Sequence, residues 1–323
     1  VAEFRQECRD FAAHWLDVQS EEFQRLGVLG DWADPYTTMA YKSEATIAAE
    51  LGKILMDGSL YRGTKPVMWS PVEKTALAEA EIEYEDHTSV TIHARFPVKT
   101  TSVPALEGAS IIIWTTTPWT MPGNRAIAYG DDITYLVIKL NELAEESIAM
   151  KGDLVCVAAD LLDNFVAEVG VTAHDVIAEV DGAKCAGTIC AHPLADDGYD
   201  HDVPMFAGDF VTTEQGTGFV HTAPGHGVED YELAHLEHGI PVPDTVAEDG
   251  KIMPHLPLFA GMHVLRDNQK IADMMAERGG VIAIGKQTHS YPHSWRSKAP
   301  LVYRNTAQWF VSMESHGLRA TAL

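Results

Sequence analysis

Val90-Thr91-Ile92-His93-Ala94-Arg95-Phe96-Pro97-Val98 decides the fold class. Val90, Ile92, Ala94, Phe96 and Val98 alternate strictly, and a period of two places them on one face of a β-strand. Working outward, 111–117 and 134–140 are rich in branched residues and read as further strands. Helical patterns interrupt them at 160–169, 228–238 and 266–278, the last stopped by Gly279-Gly280. Towards the N-terminus the period changes. Phe4, Cys8, Phe11 and Trp15 share one face of a helix running to about Arg25, a helix that needs a partner. A second helix is expected over 38–57, with Ile47, Leu51 and Leu55 on its buried side and Gly58 ending it. Residues 196–202 and 241–257 read as surface loops. The expected fold is α+β: a helical segment over 1–60, a β-rich body with peripheral helices over 61–290, and a return segment over 291–323.

The chain has 323 residues, 46% of them hydrophobic, enough for one large core with appended pieces. Its longest apolar run, Ile111 to Trp114, is far short of the roughly 20 residues a membrane-spanning helix needs. The first residue is Val1 rather than Met, and the opening stretch is charged and helical in pattern, so the chain reads as an excised piece. Cys8, Cys156, Cys185 and Cys190 are too scattered for a disulfide framework, which fits a reducing cytoplasm. A formal charge of -24 argues against a generic nucleic-acid binder, since phosphate attraction shows as a basic excess. Any such contact must rest on small basic patches such as Arg62 with Lys65 or Arg296 with Lys298.

Two stretches concentrate chemistry. In Trp114-Thr115-Thr116-Thr117-Pro118-Trp119-Thr120-Met121-Pro122-Gly123-Asn124, threonines at a strand end put hydroxyls and free backbone groups at one sheet edge. Threonine is also simply a good strand residue. In Gly216-Thr217-Gly218-Phe219-Val220-His221-Thr222-Ala223-Pro224-Gly225-His226-Gly227-Val228-Glu229-Asp230-Tyr231, a strand ends near His221 and a Gly/Pro turn follows. A helix then begins near Val228, with Asp230 in its first turn. That carboxylate either complements the helix dipole or faces a ligand that the turn lets approach. His221, His226 and Asp230 could hold zinc, yet no strong ligand motif is present. Cys185 and Cys190 with His192 lack a second pair, and Gly216-Thr217-Gly218 lacks the third glycine of a nucleotide-binding fingerprint.

Trp-Thr-Thr-Thr-Pro-Trp-Thr, followed about a hundred residues on by His-Thr-Ala-Pro-Gly-His-Gly-x-x-Asp-Tyr, resembles the editing (connective peptide) domain of bacterial-type, class I isoleucyl-tRNA synthetases. The flanks agree: Arg62 to Val67 and Thr75 to Glu81 look like the entry strands, and Tyr291-Pro292-His293, Trp295-Arg296 and Gln308-Trp309-Phe310 like the return to the catalytic body. Valyl and leucyl relatives carry Arg after the paired threonines, where this chain has Thr117-Pro118-Trp119. The ATP-handling signatures of the family, His-Ile-Gly-His and Lys-Met-Ser-Lys-Ser, are absent. Ser294 stands where many relatives have Cys.

The resemblance implies a barrel-like editing core that hydrolyses valine from isoleucine tRNA. Asp230, Thr116 and His221 would be its catalytic residues, with Asp230 gripping the substrate ammonium and His221 walling the pocket. Thr115, Thr117, Trp119, Thr120, Asn124 and His226 would bind the terminal adenosine and aminoacyl group. Attack by a positioned water is expected, with no metal or cofactor for editing, and with ATP and Mg2+ used only by the parent enzyme. The implied partners are valine-carrying isoleucine tRNA and the remainder of the synthetase in cis, in the cytoplasm and without a membrane. The alternatives are a non-catalytic tRNA-docking insert and a metal-dependent hydrolase.

Overall fold

The computed structural model describes residues 1–323, which divide into two compact units, Val1–Gly63 with Gln308–Leu323, and Thr64–Ala307. In the smaller unit, α1 (Ala2–Arg25) and α2 (Tyr41–Met56) form where the spacing of apolar residues places them. They are tied by Arg9, which pairs with Glu44, donates to the Met39 carbonyl at 2.6 Å and lies over the Tyr41 ring. The expected burial is not found. Ile47, Leu51 and Leu55 are about half exposed, at 56%, 49% and 52%, and Phe4 and Phe11 more so. The periodicity specifies the helix, but the apolar faces it creates stay largely open to solvent.

The larger unit is sheet-rich. Its strands are β1 (Leu60–Ser70), β2 (Thr75–Ala76), β3 (Ile82–Thr100), β4 (Ser110–Thr115), β5 (Ala126–Tyr129), β6 (Thr134–Leu143) and β7 (Leu154–Ala158). They continue as β8 (Val171–Asp181), β9 (Ile189–Ala191), β10 (Asp202–Ala207), β11 (Phe219–Thr222), β12 (Val281–Ser294) and β13 (Val302–Val311). The first and last of these straddle the boundaries of the unit. The main sheet runs β11-β5-β10-β9-β3-β4-β7-β6-β8, with β12 also pairing β3, and a smaller sheet runs β13-β1-β2. The fold is α+β, and the main sheet is an open path rather than a closed ring.

β4 explains why the core lies on both faces of this sheet. Ile111 and Ile113 enter the main cluster with Ile92, Phe96 and Trp119, whereas Ile112 enters a second cluster with Phe165, Val169 and Ile282. A strand buried on both sides is apolar throughout and shows no alternation. Phe165 and Val169 belong to α3 (Leu162–Val169), which covers that second face and ends at Gly170 in the left-handed conformation, φ +76°. Across the sheet, α5 (Asn268–Glu277) places Ile271, Ala272 and Met275 in the main cluster.

One expectation needs correction and another needs detail. The helix expected over 228–238 is a single turn, α4 (Val228–Asp230), that widens into a π-helix over Tyr231–Glu237 and buries Tyr231, Leu233 and Ala234. The segment 196–202 lies at the surface as expected, with Asp196, Gly198, Asp200 and Asp202 exposed, and is anchored there. Tyr199 is 3% exposed and donates to the Pro257 carbonyl at 2.8 Å, and Arg278 meets Asp197 at 3.2 Å. No helix is long and apolar enough to cross a membrane.

Candidate functional site

The threonine stretch leaves β4 and immediately forms a 3-10 helix, Pro118–Gly123. Pro118 begins it because its fixed φ suits a first helical position and its missing N–H is not needed there. Thr115 Oγ1 accepts from the Thr117 N–H at 3.1 Å and lies 3.1 Å from Thr117 Oγ1, which lies 3.3 Å from Thr120 Oγ1. Thr120 Oγ1 donates to the Thr117 carbonyl at 2.8 Å and stands 2.8 Å from His221 Nε2. Thr116, whose side chain alternates away from Thr115 and Thr117, lies outside this chain of bonds.

β11 carries His221 in antiparallel register with Ile127 of β5. Asn124 Nδ2 donates to the Ala126 carbonyl at 2.9 Å and lies 2.8 Å from His221 Nδ1. The amide oxygen cannot face a carbonyl, so the NH2 group faces both acceptors and His221 Nδ1 accepts. The proton of His221 is therefore on Nε2, donated to Thr120. Burial pushes this imidazole down to about 3, so it is neutral across the physiological range. Asn124 has no exposed surface, sits behind His221, and leaves its Oδ1 buried without a partner.

His226, in the turn after β11, has both ring nitrogens engaged. Nδ1 lies 2.9 Å from the Tyr303 carbonyl and so carries the hydrogen, while Nε2 is 2.6 Å from Thr245 Oγ1 and accepts. The Trp119 ring meets it edge-on at 4.9 Å, and burial pushes its pKa down to about 4. Thr117, Trp119, Thr120 and His226 line a cavity of about 290 Å3. Its remaining wall includes Met68, Tyr84, Tyr291 and Tyr303. Tyr84, Tyr303 and Met68 come from strands distant in sequence, and nothing local in the chain marks them for this place.

Asp230 follows the same turn. Its Oδ2 reaches back to accept from the Ala223 N–H at 2.9 Å, and the Gly227 backbone passes so close that a Cβ there would come within 3.0 Å of the carboxylate. Surrounded by protein yet partly open to solvent, the carboxyl is pushed up to about 7 by desolvation, against the pull of the Ala223 N–H. Such a group is poised to ionise when a cation arrives. The structure thus joins Thr115, Thr117, Thr120, Asn124 and His221 in one network and places Trp119 and His226 on the adjoining cavity. Asp230 sits at the turn seven residues beyond Ala223, outside the cavity wall. No cluster of three or more metal-ligating side chains is present.

This fold is an α+β unit with a polar turn beside a small cavity, and similarity to known proteins assigns it to a family. The class I tRNA synthetases (I, L, M and V) match residues 1–323, and the chain belongs to that family. It is 50% identical to the isoleucine--tRNA ligase of Pelagibacter ubique over 323 residues, covering 100% of this chain and 35% of that protein. The ligase of Gluconobacter oxydans is also 50% identical, over 97% of this chain and 34% of its own length, and that of Haemophilus influenzae is 42% identical, over 100% and 34%. The chain therefore spans about a third of the length of the curated relatives it matches. A solved structure described as GlLeuRS-CP1 aligns with a TM-score of 0.48 and 14% identity, over 61% of this chain and 98% of its own.

Proposed function

We propose that residues 64–307 form the editing unit of an isoleucine--tRNA ligase, which hydrolyses the ester of valine wrongly attached to isoleucine tRNA. The observation that carries this reading is the Thr117–Thr120–His221–Asn124 chain of hydrogen bonds standing beside a small cavity, with Asp230 at the adjoining turn. One methylene in an apolar pocket is worth only about 10- to 200-fold in discrimination, isoleucine against valine being the standing example of that limit. A second, smaller site is the remedy.

In this reading Asp230 ionises on meeting the substrate ammonium, and the pair fixes the ester carbonyl in place. Thr115, Thr116, Thr117 and Thr120 hold the terminal ribose and aminoacyl group, while Trp119 and His226 shape the cavity. His221, held by Asn124, stands behind Thr120 of the cavity wall and braces the wall that refuses a larger side chain. Its Nε2–H is directed at Thr120 and its pKa is about 3, so it is no general base. A positioned water attacks the ester carbonyl, and catalysis is mainly orientation and hydrogen bonding to the developing oxyanion. Editing needs no metal or cofactor. The rest of the longer protein attaches isoleucine to tRNA with ATP and Mg2+ in the cytoplasm and supplies most of the tRNA contact, since this chain carries a charge of -24.

The test is His221→Ala. Removing the imidazole takes away the support behind Thr120 and lets the wall give, and the isoleucyl ester, refused before, is expected to be hydrolysed within about tenfold of the valyl ester, the lower end of what one methylene sets. Deacylation of the two esters under single-turnover conditions checks it. Unchanged refusal of isoleucine by a folded variant would remove His221 from the support of the wall.

A further inference from the structure

The proline-rich stretch 241–257 carries a buried clamp on the cavity. Thr245 and Val246 are both buried, and a tight hairpin holds them. Val246 bridges Ile252, the Met253 N–H donates to the Thr245 carbonyl at 2.9 Å, and the Ala247 N–H donates to the Lys251 carbonyl at 2.8 Å. Two long side chains fasten the hairpin to the sheets. Trp69 donates its indole N–H to the Glu248 carbonyl at 2.9 Å, and Arg304, lying over the Trp69 ring, donates to the Val246 carbonyl at 2.7 Å.

The side-chain hydroxyl of Thr245 donates to His226 Nε2 at 2.6 Å. The other ring nitrogen, Nδ1, gives its hydrogen to the carbonyl of Tyr303, the neighbour of Arg304 in β13. Arg304 therefore stands behind both partners of the imidazole. A third side is closed by the 3-10 helix: a Cβ at Gly123 would come within 3.1 Å of His226 Cδ2 and 3.5 Å of Thr245 Cγ2, so bare backbone packs against the pair.

The consequence is chemical. An imidazole in a cavity wall ordinarily offers a hydrogen-bonding nitrogen. His226 lines the cavity, yet both its nitrogens are engaged by Tyr303 and Thr245, so the surface it shows to a ligand is carbon. Met68, Trp119, Leu301 and Val302 add apolar wall beside it. A pocket of this kind tells a branched hydrocarbon side chain from its hydroxylated isostere by at most about 100-fold, and only while the hydroxyl finds no partner there. An Nε2 stripped of its donor is costly to leave buried, so the ring would turn that acceptor towards the cavity.

We propose that Thr245 is a positioning residue for specificity: by donating to His226 Nε2 it keeps this acceptor out of the cavity, so that the site favours the valyl ester over the isosteric threonyl ester. The inference rests on the reading of the cavity as the aminoacyl pocket.

Thr245→Val keeps the shape and removes the donor, whereas Thr245→Ser keeps the donor. Nitrogen NMR of the 323-residue chain reads His226 directly, whether or not any ester is hydrolysed. The unprotonated Nε2 resonance is expected to move downfield in Thr245→Val, as an acceptor that has lost its donor does, and to stay near the parent position in Thr245→Ser. With isoleucine tRNA charged with valine or with threonine, the ratio of valyl- to threonyl-ester hydrolysis should fall about fivefold in Thr245→Val, the worth of one neutral hydrogen bond, and hold in Thr245→Ser. The proposal is overturned by an Nε2 resonance that does not move in folded Thr245→Val, by an unchanged ratio where it has moved, or by an equal fall in Thr245→Ser. A parent chain that hydrolyses neither ester contradicts the editing reading and takes the specificity role with it, whereas an active parent whose ratio does not respond contradicts the role of Thr245 alone.

Discussion

Asp230 combines two opposed demands at one side chain. Its carboxyl is pushed up to about 7, so the folded chain holds a proton that the unfolded chain, titrating near 3.8, has released. For an acid raised in this way, stability is greatest below the unfolded pKa and falls as pH rises from about 3.8 through about 7. Asp230→Asn removes the desolvated charge. It should therefore be more stable than the parent at pH 8 by about 1–2 kcal/mol, discounting the full shift for relaxation and partial exposure, while losing valyl-ester hydrolysis. Urea denaturation at acid and alkaline pH measures the first part, and a variant less stable than the parent at pH 8 would show that the charge is well compensated. The sequence named this residue but left two readings of its carboxylate open, because the hydrogen bond from Ala223 depends on how the Gly/Pro turn folds back.

At the scale of elements, β11 is what presents His221, and it is held by Tyr135. The Tyr135 hydroxyl donates to the Gly218 carbonyl at 2.7 Å, accepts from the Gly130 N–H at 2.9 Å, and the ring stacks on Phe219 at 4.1 Å. Gly218 itself has φ +78°, and a Cβ there would come within 2.4 Å of the Ala158 Cβ. Gly187 has nearly the same backbone angle, φ +77°, with open space around it. Alanine at position 187 should cost about 1 kcal/mol from backbone strain alone. Alanine at 218 should cost about 3 kcal/mol or more, because overpacking adds to that strain. Paired thermal or urea melts check the contrast, and equal losses would mean that β11 shifts freely away from β7.

The elements differ in how legible they were. The alternation of 90–98 made β3 plain and the spacing of Phe4, Cys8, Phe11 and Trp15 made α1 plain, since each is a local period. Burial of α2 was not legible, because it depends on what lies beside the helix. The π-helix was equally hidden: its apolar residues suit either winding. The threonine and His/Gly motifs exposed half of the site, whereas Tyr84, Tyr303 and Thr245 come together only through the pairing of distant strands.

For the molecule as a whole, buried neutral histidines set the response to acid. His192 and His221 are pushed down to about 3 and His226 to about 4, each chiefly by desolvation. A histidine depressed in the folded state contributes stability that is present above its unfolded value of 6.5 and is lost as pH falls towards the folded one. Asp230 works in the opposite direction over the same range. Near pH 5 the four groups together should leave the unfolded chain binding about two more protons, a loss approaching 3 kcal/mol per pH unit. Asp230→Asn should steepen that slope by about one proton. A stability profile flat between pH 7 and 5 would show that these imidazoles are hydrated or protonated in the folded chain.

The central claim is hydrolysis of one ester and not its larger homologue. Its most direct measurement is the single-turnover release of amino acid from valyl- and isoleucyl-charged isoleucine tRNA by this chain, with a chelator present and Asp230→Ala alongside. Hydrolysis of the valyl ester alone, insensitive to the chelator and lost with Asp230→Ala, is predicted. Equal release of both amino acids, activity abolished by the chelator, or full activity in the Asp230→Ala chain would contradict it.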